Sequence, residues 1–157
     1  MKVMPTLEGG LRIDAEDDGD WKLLQGITHD AVSCEEHLAG RLGKFITDEE
    51  LASDWREFII PDLDEAFHAD LSHVAASIAA ARVDCGGGPG PLWITRDDAF
   101  HWYSSLNQAR LALEEIHHFG PSENLLPAAL PPQCRNAFLR SQFYCAIQSL
   151  LLDHVMR

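Results

Sequence analysis

Glutamate and histidine residues three positions apart are the most suggestive chemical feature of the sequence. One pair is Glu65 and His68. Two further pairs overlap in the sequence: Glu114 with His117, and Glu115 with His118. Carboxylate di-iron bundles use two such pairs plus one Glu from each of two other helices, because that set surrounds two metal ions in the bundle core. A metal-carboxylate helical bundle is therefore one alternative. Helical geometry instead predicts exposed side chains: Glu65 points away from the apolar stripe of its helix, and histidines in a last turn suit the helix dipole.

A second pattern imitates a calcium-binding loop. Acidic residues stand at its first, third, fifth and seventh places, namely Asp14, Glu16, Asp18 and Asp20. Gly19 follows at the sixth place, as in an EF-hand. However, the twelfth place holds Gln25 instead of the bidentate Glu, and the preceding segment reads as a strand. We predict an acidic turn whose carboxylates cap the helix that follows.

Three polar residues form a candidate binding site on one helix. Asn107, Arg110 and Glu114 follow one another at helical spacing between two apolar faces. Arg110 and Glu114 are four residues apart, which favours an ion pair. Such a strip either fixes the register of a helical bundle or forms the polar floor of a pocket for a small molecule. Both interpretations stay open.

Motifs of nucleophilic catalysis and nucleotide binding are missing from the sequence. We find no GxSxG, no GxGxxG after a strand and no P-loop, and the glycine-rich segment 86–91 lacks the Lys-Ser/Thr that a P-loop requires. Four Cys and eight His supply no specific nucleophile–base spacing. We therefore expect a protein that is not an enzyme and uses no cofactor.

A helix predicted over residues 96–119 organises the other elements. Thr95 and Asp98 are close to a capping box, and Gly120 with Pro121 marks the end. The main apolar stripe consists of Trp102, Leu106, Ala109, Leu113 and Ile116. The opposite side carries Phe100, Tyr103 and Leu111. Only a narrow sector around His101, Gln108 and Glu115 is wholly polar. A helix that is apolar on two faces is normally packed on two faces, so we predict a central helix.

The remaining patterns predict one helical domain over residues 1–157. A β-hairpin is expected at 1–15, and helices at 18–36, 48–60, 62–83, 96–119 and 133–155. Pro61 should end or kink the helix before it. The glycine-rich segment 86–91 is read as a short connection between helices. The predicted fold class is mainly α, a bundle of about five helices with a small N-terminal β-hairpin.

Charge and composition restrict the partners. The chain has 157 residues, and 25 Asp and Glu against 12 Lys and Arg give a formal charge of −13. Nucleic acids and anionic membranes are therefore poor partners, since both attract cationic surfaces. No apolar run approaches the roughly 20 residues that cross a bilayer, and no signal peptide is apparent. The four cysteines lack CxxC spacing, which fits reduced thiols in a cytoplasmic protein.

Four segments in this order resemble a bacterial family catalogued as a domain of unknown function, DUF2017. They are GGLRIDAEDDGDWKLLQGI, the acidic middle helix, LWITRDDAFHWYSSLNQARLAL and the terminal FYCAIQSLLLDHV. Trp102, Asn107 and Arg110-Leu111 carry the most distinctive part of the resemblance. It implies a cytoplasmic bacterial protein with a mostly helical domain. It implies no activity, cofactor or catalytic residue, because the family is uncharacterised.

We expect a non-catalytic interaction or regulatory protein that binds a protein partner or, more specifically, itself. Four large residues lie outside the core stripe of the last helix and are available for a second chain: Phe138, Tyr144, Leu151 and Leu152. The alternatives are the metal-carboxylate bundle and a small-molecule pocket beside Asn107 and Arg110.

Overall fold

The computed structural model describes residues 1–121 and 125–157 and is mainly helical, with a small antiparallel sheet. The strands are β1 (Lys2–Pro5), β2 (Leu11–Ala15) and β3 (Gly90–Ile94). The α-helices are α1 (Asp18–Ala31), α2 (Leu38–Gly43), α3 (Glu49–Asp54), α4 (Ile60–Asp84), α5 (Ala99–His117) and α6 (Pro132–His154). A π-helical turn, Trp55–Ile59, joins α3 to α4, and a 3-10 turn, Pro127–Ala129, precedes α6. The predicted fold class is confirmed.

Helix α5 lies at the centre, in contact with α1, α4 and α6. Its main stripe is buried through Trp102, Leu106, Ala109 and Leu113. Tyr103 and Leu111, on the opposite side, are partly buried. Two parts of the prediction for this helix are wrong. Phe100 is 65% exposed and Ile116 is 44% exposed, because both lie in end turns where fewer neighbours cover the helix.

The polar sector predicted for α5 is exposed at Glu115 and partly exposed at His101, but not at Gln108. Gln108 is only 5% exposed, and its amide donates to the carbonyl oxygen of Phe67 on α4 at 3.3 Å. A long amide side chain is buried when its hydrogen-bonding groups find partners, and periodicity alone does not reveal those partners.

The sheet has one strand more than predicted. Its order is β1-β2-β3, with Val3 opposite Ile13 and Ile13 opposite Leu92. Residues 90–94 were assigned to the connection between helices because this strand begins with Gly90 and Pro91. Proline is acceptable there because β3 is an edge strand and needs no ladder hydrogen bond on its outer side.

The acidic turn between β2 and α1 behaves as predicted. The carboxylate of Asp17 accepts from the backbone N–H of Asp20 at 3.0 Å and caps the helix. Asp20 in turn accepts from the backbone N–H of Glu16 at 2.8 Å. These carboxylates therefore satisfy backbone donors at the positive end of α1. The helix ends at Ala31, five residues before its predicted end, and α2, which was not predicted, follows at Leu38.

Pro61 does not end its helix, which continues from α3 through the π-helical turn into α4. Proline has no N–H, and its ring clashes with the carbonyl four residues earlier. The chain accommodates this by a shift in register, in which the backbone N–H of Ile60 donates to the carbonyl of Trp55. Helices α3 and α4 are thus one rod with a π-helical turn at its joint.

The buried face of α6 differs from the prediction. Phe138, Tyr144 and Leu151 are buried within the chain, whereas Leu139 from the predicted core stripe is 48% exposed. Of the four residues expected to meet a second chain, only Leu152 is exposed. This helix carries large apolar residues on several sides, and a buried polar contact selects one of them. Arg140 and Tyr144 both bond Asp30 of α1, at 2.7 and 2.8 Å.

Within residues 1–121 and 125–157, none of the helices is both long and apolar enough to span a bilayer.

Candidate binding site

The predicted polar strip on α5 does not form one site. The Nη1 of Arg110 donates to Oε1 of Gln148 on α6 at 2.6 Å, and its buried Nε finds no partner among the described residues. Glu114 instead accepts from the backbone N–H of Gly120 at 3.0 Å, and no ion pair with Arg110 is present among the described residues. Asn107 is half-buried. Arg110 therefore fixes α6 against α5, while Glu114 closes the end of α5.

Five of the six Glu-x-x-His residues lie at the surface, as the helical geometry predicted, whereas His117 is partly buried and its ring stacks on Phe119. Glu65, His68, Glu114, Glu115 and His118 are exposed. Across residues 1–121 and 125–157, no three His, Cys, Asp or Glu side chains are close enough together to hold a metal ion. The metal-carboxylate alternative thus has no ligand set in this part of the chain.

A pair of Asp-x-x-His segments, which the sequence reading missed, comes together between α4 and α5. His73 contacts Asp98 (Nε2 to Oδ1) at 2.8 Å, and His101 contacts Asp70 (Nδ1 to Oδ1) at 2.7 Å. The two imidazole rings stack with their centroids 4.4 Å apart. Each carboxylate therefore pairs with the histidine of the other helix. The signal was the shared spacing of three, with Asp in place of Glu.

Asp98 also closes the first turn of α5. Its Oδ2 accepts from the backbone N–H of Thr95 at 3.1 Å and from the Thr95 hydroxyl at 2.5 Å, while the Thr95 hydroxyl accepts from the Asp98 N–H at 3.3 Å. Burial opposes the charge of this carboxyl, but the Thr95 bonds and His73 outweigh it and lower the pKa of Asp98. The two Asp–His contacts therefore fix α4 against the start of α5.

A partly enclosed cleft lies where α1 ends, between α2, α4 and α5. It is a cavity of about 330 Å³. Its lining comprises Ala31, Val32, Cys34, Glu36, His37, Leu38, Arg41, Asp64, Phe67, His68, Leu71 and Gln108. This volume is at the lower end of the range for small-molecule sites, which are mostly apolar with a few placed polar groups.

The residues that line the cavity differ in their exposure. At its inner end, Gln108 and Leu71 are buried, whereas Glu36, His37 and His68 at the mouth are exposed. The mouth is polar, with Nδ1 of His37 3.7 Å from an Asp64 carboxylate oxygen. The rim of the cavity is therefore polar, and its buried end combines the Gln108 amide with the apolar Leu71.

Arg41 is held in place by backbone and side-chain contacts. Its Nη2 donates to the carbonyl of Leu111 at 3.0 Å and lies 3.3 Å from a carboxylate oxygen of Glu115. Its Nη1 lies 3.6 Å from Sγ of Cys34, whose thiol donates to the carbonyl of Ala112. Burial raises the pKa of the Cys34 thiol despite the neighbouring guanidinium. The thiol therefore stays protonated and acts as part of the wall.

Sequence reasoning placed the pocket beside Asn107 and Arg110, and neither residue lines this cavity. The lining comes from four helices, α1, α2, α4 and α5, and from the irregular segment after α1. That segment had been assigned to a helix over residues 18–36. Among the described residues, Gln108, which directly follows Asn107 in the sequence, is the one residue of α5 in the lining.

Exposed apolar side chains gather around α2 and the π-helical turn. We define the apolar patch by Leu42, Phe45, Leu51, Phe58 and Ile59. Trp55 of the π-helical turn lies against Gly43 of α2, and its indole donates to the carbonyl of Ala39 at 3.3 Å. Leu42 and Phe45 flank Gly43, and the other three patch residues lie within about one turn of Trp55. Phe45 is 84% exposed, the most of the five.

The comparisons with known proteins give one match. Residues 6–155 match the family described as Domain of unknown function (DUF2017). No curated protein and no solved structure matches the chain. The matched segment includes every helix, β2 and β3, so nearly the whole architecture described above falls within it. The resemblance in the sequence is confirmed, and the chain belongs to the DUF2017 family.

Proposed function

We propose that this protein is a non-catalytic, cytoplasmic interaction protein that associates with a second copy of itself through the apolar patch. The observation that carries the proposal is the exposure of five large apolar side chains around one helix joint. Contiguous exposed apolar surface is uncommon on monomers and is typical of association surfaces. The absence of motifs for nucleophilic catalysis supports a binding role.

The charges around the patch favour a second copy as the partner. Lys44 and Arg56 are exposed there among acidic residues that include Glu49, Glu50 and Glu57. In a two-fold dimer, every contact between one residue of the first copy and another residue of the second copy occurs twice. A patch edge that carries both positive and negative side chains can therefore pair with itself. The chain as a whole is acidic, with a formal charge of −13. Its copies repel one another over longer distances.

Sedimentation velocity tests this proposal. We expect the wild-type protein to form dimers at micromolar concentration, and the dimer to gain affinity as salt screens the acidic repulsion. The double change Phe45→Glu and Phe58→Glu should leave a folded monomer. Leu7→Glu is the matched control, because Leu7 is fully exposed on the β1–β2 turn and belongs to no patch. A wild-type monomer at all concentrations, or a double variant that dimerises like the control, would refute the proposal.

A further inference from the structure

The cavity between α1, α2, α4 and α5 contains a hydrogen-bond acceptor that receives no bond from the described residues. Gln108 is 5% exposed and lines this cavity. Its Nε2 donates to the carbonyl oxygen of Phe67 at 3.3 Å and lies 3.4 Å from the Ser104 hydroxyl. The amide orientation follows from these contacts, since the nitrogen must face the Phe67 carbonyl. Its Oε1 receives no hydrogen bond from any residue of 1–121 or 125–157.

The free oxygen meets open space. Three polar side-chain atoms are fully enclosed and have no partner among the described residues: Nε1 of Trp102, Oγ of Ser105 and Nε of Arg110. Oε1 of Gln108 is not one of them, so it is not fully enclosed. A side chain that is almost entirely buried, but whose oxygen is not enclosed, directs that oxygen into the cavity that it lines. This oxygen is accessible, so it is open to an N–H or O–H donor from a ligand that occupies the cavity.

The surrounding side chains define the rest of the ligand. The apolar half of the lining consists of Ala31, Val32, Cys34, Leu38, Phe67 and Leu71. Phe67 offers an aromatic surface for stacking. The ionised groups near the mouth have neighbours within the chain: Arg41 pairs with Glu115, Glu36 pairs with Lys44, and an Asp64 carboxylate oxygen lies 3.7 Å from Nδ1 of His37. A neutral ligand is therefore preferred to an ion.

We propose that this cavity binds a small, neutral aromatic molecule with one N–H or O–H donor, which donates to Oε1 of Gln108. An indole or a phenol has this chemistry. The ring lies between Phe67 and Leu71, and the donor points toward α5. Binding here does not require self-association, so a protein that is strictly monomeric can still bind the ligand.

Isothermal titration calorimetry with indole and benzofuran tests the proposal. The two molecules have nearly the same shape, but benzofuran has a ring oxygen where indole has its N–H donor. We expect saturable binding of indole, about tenfold tighter than benzofuran, which corresponds to one hydrogen bond in a buried site. Equal affinities for the two molecules, or no saturable binding of indole, would overturn the proposal.

Two variants locate the effect. Gln108→Met keeps the side-chain length but removes the acceptor, so indole and benzofuran should bind it equally. Leu71→Trp fills the inner cavity and should abolish the binding of both. Thermal unfolding checks that each variant is folded. A preference for indole that survives in Gln108→Met places the donor contact elsewhere and contradicts the proposal, and the wild-type comparison decides even if a variant does not fold.

Discussion

The junction of α1 with α6 and the apolar patch around α2 differ in how far their side chains are covered by the rest of the chain. At the junction, the buried carboxylate of Asp30 accepts two bonds from Arg140, at 2.7 and 3.0 Å, and one from the Tyr144 hydroxyl at 2.8 Å. At the patch, Phe45 and Phe58 lie mostly in solvent. One region satisfies its polar groups within the chain, and the other leaves apolar groups uncovered. The comparison indicates that the first stabilises the single chain and that the second is available to another molecule.

The chemistry of Tyr144 shows how closed the junction is. Burial, and then the charge of Asp30, raises the pKa of the Tyr144 phenol far above its ordinary value. The hydrogen bonds that Arg140 donates to Asp30 raise the pKa of the Arg140 guanidinium despite partial burial. The phenol therefore remains a neutral donor and the guanidinium a cation at any physiological pH.

Removing the carboxylate of the junction should have the largest effect. Asp30→Ala leaves Arg140 and the Tyr144 hydroxyl without their acceptor, and we expect the free energy of unfolding to fall by about 3 kcal/mol. Urea denaturation measures the loss. The control is Asp153→Ala, which removes the exposed pair with Arg157 at 3.2 Å. That change should cost less than about 1 kcal/mol. Equal losses in the two variants would break the contrast between buried and exposed contacts.

The joint beneath the apolar patch can be tested with two glycines of α2. A Cβ on Gly43 would lie 2.7 Å from Cδ1 of Trp55, whereas one on Gly40 would lie 3.5 Å from the nearest atom, a Glu36 carboxylate oxygen. Gly43→Ala should therefore cost roughly 1–2 kcal/mol through overpacking. Gly40→Ala should stabilise by up to about 1 kcal/mol, because alanine favours the helix. Urea denaturation of both variants gives the comparison, and a stabilised Gly43→Ala would mean that α2 is not fixed on Trp55.

The first turn of α5 should show a pH dependence that the patch lacks. The folded pKa of Asp98 lies below its ordinary value of 3.8, so the folded chain releases this proton more readily than the unfolded chain. The carboxylate therefore adds stability above pH 3.8, and this contribution is lost as the pH falls through the lower folded pKa. In urea titrations, wild type should exceed Asp98→Asn at pH 6, and the gap should narrow toward pH 3.

The neighbouring Asp97→Asn is the matched control for this titration, since Asp97 is exposed and bonds neither Thr95 nor His73 in the described structure. Its stability difference from wild type should stay nearly constant over the same pH range. A gap for Asp98→Asn that is constant, or that widens in acid, would contradict the assigned role.

The smallest effect concerns a polar atom that the core leaves without a partner. The hydroxyl of Ser105 is fully buried and makes no hydrogen bond to the described residues. Ser105→Ala removes this oxygen, and we expect unfolding free energy to stay unchanged or rise by up to about 1 kcal/mol. Thermal unfolding measures it. A clear loss of stability would show that the hydroxyl has a partner in solution and that the core is less uniformly apolar than described.

Elements with one dominant apolar stripe could be predicted from the sequence. Helix α1, with Trp21, Leu24 and Ile27 buried on one side, is an example. Helix α6 could not be oriented, because large apolar residues occur on several of its sides. Its buried face is selected by Asp30, which lies 110 residues from Arg140 in the sequence. No local pattern contains that information.

The candidate site was less predictable than the fold. Ion pairing between Arg110 and Glu114 was expected from spacing alone, but Gln148 and the Gly120 backbone are the better-placed partners. Long-range partners of this kind exist only after the helices have packed. The cavity required in addition that α1 end at Ala31 and that α2 form, and neither boundary has a strong capping signal in the sequence.

Hydrogen–deuterium exchange at two protein concentrations tests the central claim most directly. If the apolar patch is covered by a second copy, amides of residues 42–59 should be protected at high concentration and should exchange faster after dilution below the dissociation constant. Amides around Asp30 and Tyr144 should exchange at the same slow rate in both samples, because their protection belongs to the single chain. Exchange of residues 42–59 that does not depend on concentration would contradict the account.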